Sequence, residues 1–315
     1  MLVEKAIGRY GDRIRALLPS EPGEHHLDKL MLPLIREIDL FQLALTGEDG
    51  KLLERIGESY HVERNLNLAG SYYQKAIAAL PPEPITDEMR AAVLRYAPLL
   101  HLTETEFFPL KDVVAVHHPK KPVIAYHLFW EDDYDFPDDY EPCDHEQIWV
   151  AYDRSNERLT GVWAFYHGSI ITTARAVEMA NETNGRAVIR VQWGKHGSIP
   201  ADGEHVRLPG GTVLEDMQDA YQRVSAGGRA SNHPIKQRSW PKAYQGTWRD
   251  FMNFPVSVDS RSYLEDKDYI ICSHLSNAVI QQYFLTYNFA AKYGWPWHAP
   301  VYNESGWVTE AGGSS

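Results

Sequence analysis

The chain changes its residue pattern after its first third, and this change limits the possible fold more than any other sequence feature. Up to about residue 95, apolar residues recur at spacings of three and four, as on amphipathic helices. The segment Pro81-Pro82-Glu83-Pro84 interrupts that pattern, and from Val113 onward there are short runs rich in β-branched and aromatic residues. The sequence therefore predicts an α+β protein with a helical region at 1–95, a β-domain at 96–308 and a disordered tail at 309–315.

The β-domain is expected to form an antiparallel β-sandwich with peripheral helices. Its clearest strands are predicted at 123–130, 145–152, 159–167 and 186–193. The second and third of these are joined by six residues, 153–158, which leaves no room for a crossover helix and predicts a hairpin. Helices are predicted at 86–96 and 276–292.

Composition limits the class of partner. The net charge of −12, without a clustered basic surface, argues against nucleic acid and leaves a small-molecule substrate as the expected partner. No run has the pattern of a signal peptide or the length of a membrane span. Two cysteines, Cys143 and Cys272, exclude a disulfide framework, so a cytoplasmic protein is expected. The oligomeric state is left open.

One part of the helical region resembles a tetratricopeptide repeat over about 34 residues. The matching positions are Ile56, Gly57, Tyr60, Ala69, Tyr73, Ala76 and Pro81. No second copy follows, and a single repeat does not bury its own faces, so it is expected to pack on neighbouring helices or on the next domain. The segment is interpreted either as an ordinary helical hairpin or as a peptide-binding groove.

Asp144 and Glu146 are the central candidates for chemistry. Side chains alternate along a strand, so these two acids share a face with Ile148 and Val150. If that face is the core face, the carboxylates lie at its rim, where a divalent cation (Mg, Ca or Mn) would relieve their repulsion. The alternative is that the opposite face, with Trp149, is buried and that both acids are solvated.

Two more predicted strands end at histidines. His167 is followed by Gly168, and His196 follows the strand that carries Arg190. Strand ends beside glycine often present functional groups, because glycine lets the backbone turn tightly. His167 and His196 are therefore candidate proton-transfer groups, and Lys195 and Arg190 are candidates for stabilising an anion.

Residues 96–200 resemble the β-sandwich family that includes vacuolar-sorting-related and necrosis-inducing-like proteins. The resemblance is carried by Tyr96-Ala97-Pro98-Leu99-Leu100, Glu104-Thr105-Glu106-Phe107-Phe108-Pro109, Asp144-His145-Glu146, Tyr166-His167-Gly168 and Val191-Gln192-Trp193-Gly194-Lys195-His196-Gly197. It implies a divalent cation held by Asp144 and Glu146. Glu141 stands where the necrosis-inducing-like pattern has histidine, so Glu141, with Asp139 from the acidic loop 131–141, is expected to complete the ligands.

These observations favour a divalent-metal-dependent enzyme of hydrolase, lyase or cyclase type that acts on a small polar substrate. One alternative is a non-catalytic module that binds a glycan or a lipid headgroup, because nine tryptophans and eighteen tyrosines suit sugar stacking. The second alternative is an interaction protein that uses its helical repeat.

Overall fold

The computed structural model describes residues 2–17, 27–135, 143–227, 242–284 and 292–308. The predicted ligands Asp139 and Glu141 and the predicted disordered tail at 309–315 lie outside the described residues. The structure contains both helices and sheets, so the α+β prediction is confirmed. The chain divides into two compact units, one of Met1–Glu83 with Ser273–Gly294 and the other of Pro84–Cys272 with Trp295–Ser315.

The elements follow in chain order. The helices are α1 Leu2–Leu17, α2 Leu27–Thr46, α3 Gly50–Val62, α4 Leu66–Ala79, α5 Asp87–Tyr96, α6 Ala174–Glu182, α7 Val213–Ser225, α8 Trp248–Phe251 and α9 Ser276–Tyr283. The strands are β1 Leu99–Leu102, β2 Leu110–His117, β3 Val123–Trp130, β4 Asp144–Asp153, β5 Arg158–Tyr166, β6 Ser169–Ile171, β7 Val188–Val191, β8 Ser198–Pro200, β9 Arg207–Leu208, β10 Gly211–Thr212, β11 Val256–Asp259, β12 Ile270–Cys272, β13 Val301–Asn303 and β14 Gly306–Val308. Short 3₁₀ turns occupy Gly203–His205, Ser260–Tyr263 and Pro296–His298.

In the first unit, α3 and α4 form a helical hairpin at the repeat-like segment. Asp49 caps α3 by accepting hydrogen bonds from the backbone N–H groups of Lys51 and Leu52. Gly57 lies against the buried Tyr73 ring, so a small residue is needed where the two helices touch. Helix α9 adds Ala278 to the same apolar cluster, although it follows α4 by about two hundred residues.

The Gly57 contact predicts a loss of stability when the residue is enlarged. A Cβ atom at Gly57 would lie 2.9 Å from two ring carbons of Tyr73, so Gly57→Val is expected to lower the free energy of unfolding by about 1–3 kcal/mol. Gly70 on α4 has open space around its Cα, and Gly70→Ala is the matched control, expected to gain about 0.5–1 kcal/mol of helix propensity. Urea unfolding measures both; equal behaviour of the two variants would contradict the close approach.

The second unit contains two larger sheets. The first has eight strands in the order β12-β2-β3-β4-β5-β6-β13-β14, and the second has four in the order β11-β1-β7-β8. The predicted β4–β5 hairpin is confirmed as an antiparallel pair. The expectation of purely antiparallel sheets is wrong, because β12 runs parallel to β2, β13 parallel to β6, and β7 parallel to β1. These parallel partners are far apart in the chain, so no local pattern revealed them.

Strand β4 is buried on both faces. Asp144 and Glu146 are 3% and 4% exposed, while Ile148 and Val150 on the same face belong to a core cluster that includes Leu100 and Ile189 from the four-stranded sheet. On the opposite face, a ring nitrogen of His145 lies 2.9 Å from one of His127. The alternative with solvated acids is therefore wrong, because β4 is a central strand of a sheet that is covered on both sides.

Candidate functional site

The candidate site is organised by the turn of residues 192–197, which joins β7 to β8. The backbone N–H of His196 donates to the carbonyl oxygen of Gln192 at 3.0 Å, and that of Gln192 donates to the carbonyl oxygen of Gly197 at 3.1 Å. Gly194 and His196 have positive φ angles of 66° and 55°. Because two residues adopt left-handed backbone, consecutive side chains of this turn point to different neighbours.

His196 is buried between two carboxylates. Its Nδ1 lies 2.7 Å from Asp144 Oδ2, and its Nε2 lies 3.5 Å from Glu106 Oε1. The imidazole also stacks on Trp130, with ring centroids 4.3 Å apart and planes 2° apart. Burial alone would lower the pKa of His196, but the hydrogen bond to Asp144 and the nearby Glu106 carboxylate raise it to about 10. The side chain is therefore an imidazolium at neutral pH, which suits positioning better than proton abstraction.

Glu106 stabilises the same turn through hydrogen bonds. One of its carboxylate oxygens accepts from the backbone N–H groups of Phe107 and Phe108, and the other accepts from the backbone N–H of Gly194 at 3.0 Å. The indole N–H of Trp193 donates to the Thr105 carbonyl oxygen at 2.7 Å. Sequence reasoning did not identify Glu106 as a site residue, although it lies within one of the quoted motifs. Its partner is about ninety residues away, and only the fold brings the two together.

The described donors do not by themselves form a cation site at Asp144 and Glu146. One oxygen of Asp144 already binds the His196 imidazolium, whose positive charge opposes a metal ion beside it. Burial, and then Asp144, raise the pKa of nearby Asp133 well above its ordinary value. Within the described residues, no group of three histidine, cysteine or acidic ligand atoms within 4.8 Å of one another includes Asp144 or Glu146. Metal binding there stays a prediction.

A second arrangement surrounds His167. Its Nδ1 lies 2.9 Å from Asp216 Oδ2 on α7, and the Tyr166 hydroxyl donates to the same oxygen at 2.6 Å. His167 has a positive φ of 45°, and Gly168 follows with a φ of 87°, which turns the chain immediately after β5. The His167 side chain is 22% exposed, so it is accessible to a solute.

Electrostatics favour a neutral imidazole at this position. Burial lowers the pKa of His167; the hydrogen bond to Asp216 opposes that effect, and the charge of Lys195 reinforces it. Burial would raise the pKa of Asp216, but the hydrogen bond and charge of His167 lower it well below its ordinary value. Asp216 is thus ionised and orients a histidine that is largely neutral at pH 7.

The four residues predicted to be catalytic, His167, Lys195, Arg190 and His196, lie in separate places. Lys195 Nζ lies 2.7 Å from Asp135 Oδ2, and its charge reaches His167 and Asp216. Arg190 is instead paired with Glu204 and donates to the Pro200 carbonyl oxygen at 3.2 Å. The structure therefore brings His167 together with Lys195 and brings His196 together with Asp144, but it places Arg190 in an ion pair of its own.

Asp216 is the second residue that sequence reasoning missed. It lies in the first turn of α7, where acidic residues are common for reasons of helix stability alone, so no local signal distinguished it. No helix among the described residues is long and apolar enough to cross a membrane. Comparison with family models, with curated proteins and with solved structures found no match to this chain.

Proposed function

We propose that the chain is an enzyme of hydrolase or lyase type in which His167 transfers a proton to or from a small polar, anionic substrate. The observation that carries this proposal is the hydrogen-bonded Asp216–His167 pair, partly exposed and next to a lysine charge. We place this site at one end of a β-sandwich, an arrangement supported by the core cluster that combines residues of both larger sheets.

The chemistry follows from the state of the imidazole. With Nδ1 donating to ionised Asp216, the proton-exchanging atom is Nε2, and the lowered pKa leaves it as a base at pH 7. The Tyr166 hydroxyl donates to the same oxygen of Asp216 and limits the rotation of that carboxylate. Gln192, the first residue of the 192–197 turn, lies close enough to the imidazole to act on the pKa of His167. The pair thus resembles a general base with its orienting carboxylate.

Lys195 supplies the charge that selects an anionic substrate. Its side chain is 10% exposed and is held by Asp135, so its position is defined while its charge acts on the His167 site. The predicted Mg, Ca or Mn ion would be held by Asp144 and Glu146 with ligands from the acidic loop. Because the His196 imidazole is already hydrogen-bonded to Asp144, we assign the proton transfer to the protein side chains alone.

A glycan-binding module is the alternative, favoured by one aromatic surface of the second unit. Trp295 and Trp297 stack with centroids 5.5 Å apart and planes 8° apart, and Lys121 Nζ lies 4.1 Å from the Trp297 ring centroid. Trp297 is 37% exposed, so its ring offers a stacking face for a sugar. This module predicts affinity without product, and the affinity would be lost in Trp297→Ala.

The enzyme proposal predicts a large loss of turnover in His167→Gln. A screen of small phosphate esters, carboxylate esters and lactones with the full chain identifies a substrate, and kcat is then expected to fall by about 10²–10⁴-fold in the variant. Asp216→Asn is expected to lose less, and Lys195→Met to raise KM more than it lowers kcat.

The exposed His205 provides the control, because His205→Gln removes a histidine of the same unit without touching the pair. Equal turnover by wild type and His167→Gln would overturn the proposal. So would binding of a glycan that depends on Trp297 with no product formed.

A further inference from the structure

Helix α3 carries two glutamates, Glu54 and Glu58, one turn apart on the same face of the helix. A carboxylate oxygen of Glu54 and one of Glu58 lie within 4.8 Å of each other. Glu54 is 0% exposed. Burial raises the pKa of Glu54 to about 8; burial and then the charge of Glu54 raise that of Glu58. Two close carboxylates in such surroundings need a proton or a cation between them.

The polar groups around this pair are only partly satisfied. Glu54 Oε1 accepts from the backbone N–H of Ala278 at 3.1 Å, and Glu58 Oε1 accepts from that of Gly294 at 3.1 Å. Asn277 on α9 hydrogen-bonds Glu58 with its side chain. Among the described residues, Glu54 Oε2 and Asn277 Oδ1 have no hydrogen-bond partner, although both residues are 0% exposed. Unsatisfied buried oxygens are costly, so these two indicate a bound species.

Charges on the same helix do not neutralise the pair. Arg55, the sequence neighbour of Glu54, directs its guanidinium to Asp39, with Arg55 Nε 3.1 Å from Asp39 Oδ2. Lys51 and Arg55 lower the pKa values of Glu54 and Glu58 less than burial raises them. The charges of α3 therefore leave the mutual repulsion of the two carboxylates largely in place.

We propose that Glu54, Glu58 and Asn277 bind one divalent cation of the oxygen-preferring class, with Glu54 Oε2 and Asn277 Oδ1 among its ligands. Two carboxylates and an amide oxygen are the donor set that Mg²⁺, Mn²⁺ and Ca²⁺ prefer. The ion neutralises both carboxylates and satisfies the two buried oxygens at the same time. It also ties α3 to α9, two helices more than two hundred residues apart in the chain.

A cavity of the first unit borders Tyr73, which contacts one of the proposed ligands. A cavity of about 300 Å³ is lined by His61, Tyr73 and Gln281, among others. The Tyr73 hydroxyl accepts from Asn277 Nδ2 at 3.2 Å, and the charges of both glutamates act on the Tyr73 pKa. Tyr73 is thus shared by the cavity wall and the proposed site, and its hydroxyl orients the Asn277 amide. The site is independent of His167 and its proton transfer.

Manganese alone is the probe for this proposal. The full chain is stripped with a chelator, dialysed and titrated with Mn²⁺, with free ion followed by electron paramagnetic resonance and stability by thermal unfolding. One equivalent of Mn²⁺ is expected to bind and to raise Tm. Glu54→Gln and Glu58→Gln are each expected to weaken this binding at least tenfold. Glu63→Gln removes a half-exposed glutamate that pairs with Arg36 and is expected to bind as wild type does.

A second control separates this site from the predicted one in the other unit, because Asp144→Asn is expected to leave the Mn²⁺ titration unchanged. Anomalous scattering from manganese-soaked wild-type crystals gives a readout that needs no variant, with a peak expected between Glu54 and Glu58. Wild-type protein that binds no Mn²⁺, or a Glu54→Gln variant that folds and binds it equally, would show that the pair shares a proton instead and would overturn the proposal.

Discussion

Replacing His196 by leucine is expected to lower the free energy of unfolding by about 3–5 kcal/mol, the usual cost of leaving a buried charge without its partner. His196 is 0% exposed and lies between Asp144 and Glu106, which are 4% and 6% exposed in their side chains. Leucine fills part of the space beside Trp130 but offers neither carboxylate a hydrogen bond. Urea unfolding at pH 7, followed by circular dichroism, measures the loss.

Two further variants test the cause of that loss. Adding Asp144→Asn to the leucine variant removes one uncompensated charge and is expected to recover part of the stability. His205→Leu changes an exposed histidine of the same unit and is expected to alter stability by about 0.5 kcal/mol or less. If His196→Leu costs less than about 1 kcal/mol of stability, the imidazolium does not balance the buried carboxylates. The role of His196 in positioning the 192–197 turn would then be wrong as well.

Several elements were predictable because their determinants are local. The six residues between β4 and β5 admit only a hairpin, and the structure pairs those strands antiparallel. The spacing of Gly57 and Tyr73 predicted two touching helices, and α3 and α4 touch at that contact. The period of two placed Asp144 and Glu146 on one face of β4 with Ile148 and Val150, and the structure shows that this face is buried. In each case the information lies within a few residues of the element it specifies.

The partners of the candidate site were not predictable in this way. His167 meets Asp216 across 49 positions of the chain, and Glu106 meets His196 across 90, so each pair depends on the sheet order rather than on any local period. The parallel pairing of β12 with β2 has the same origin. Glu54 and Glu58 look like the solvated face of a helix until α9, far along the chain, contributes Asn277 and Ala278.

The 192–197 turn lies next to both histidine sites. Gln192, at the start of the 192–197 turn, acts on the pKa of His167, while His196 near the end of that turn is hydrogen-bonded to Asp144. A buried ion pair therefore holds the turn to β4 beside the proton-transfer site. Asp144 on β4 therefore has a role in positioning the turn, and this role does not require a metal ion.

Lowering the pH from 6.5 to 4 is expected to remove about 3 kcal/mol of stability through His117 alone. His117 is 0% exposed; its Nδ1 donates to the His118 carbonyl oxygen at 2.7 Å, and its Nε2 accepts from the Tyr152 hydroxyl at 2.9 Å. This tautomer is neutral. Burial lowers the pKa of His117 from 6.5 to about 4, the hydrogen bond to His118 opposes the shift, and the charge of Arg154 adds to it.

The sign follows from proton binding in the two states. Between pH 6.5 and 4 the unfolded chain takes up a proton on His117 that the folded protein excludes, so unfolding is favoured as the pH falls. The stabilisation is complete above the unfolded pKa and is lost once the pH passes the folded pKa. A difference of about 2.5 pKa units corresponds to about 3 kcal/mol.

His117→Gln removes this titration, and the difference between its stability and that of wild type should change by that amount across the interval. His205→Gln, an exposed control, should run parallel to wild type. Parallel curves for His117→Gln and wild type would show that His117 is protonated in the folded protein, which would require the Tyr152 hydroxyl to accept rather than donate its hydrogen bond.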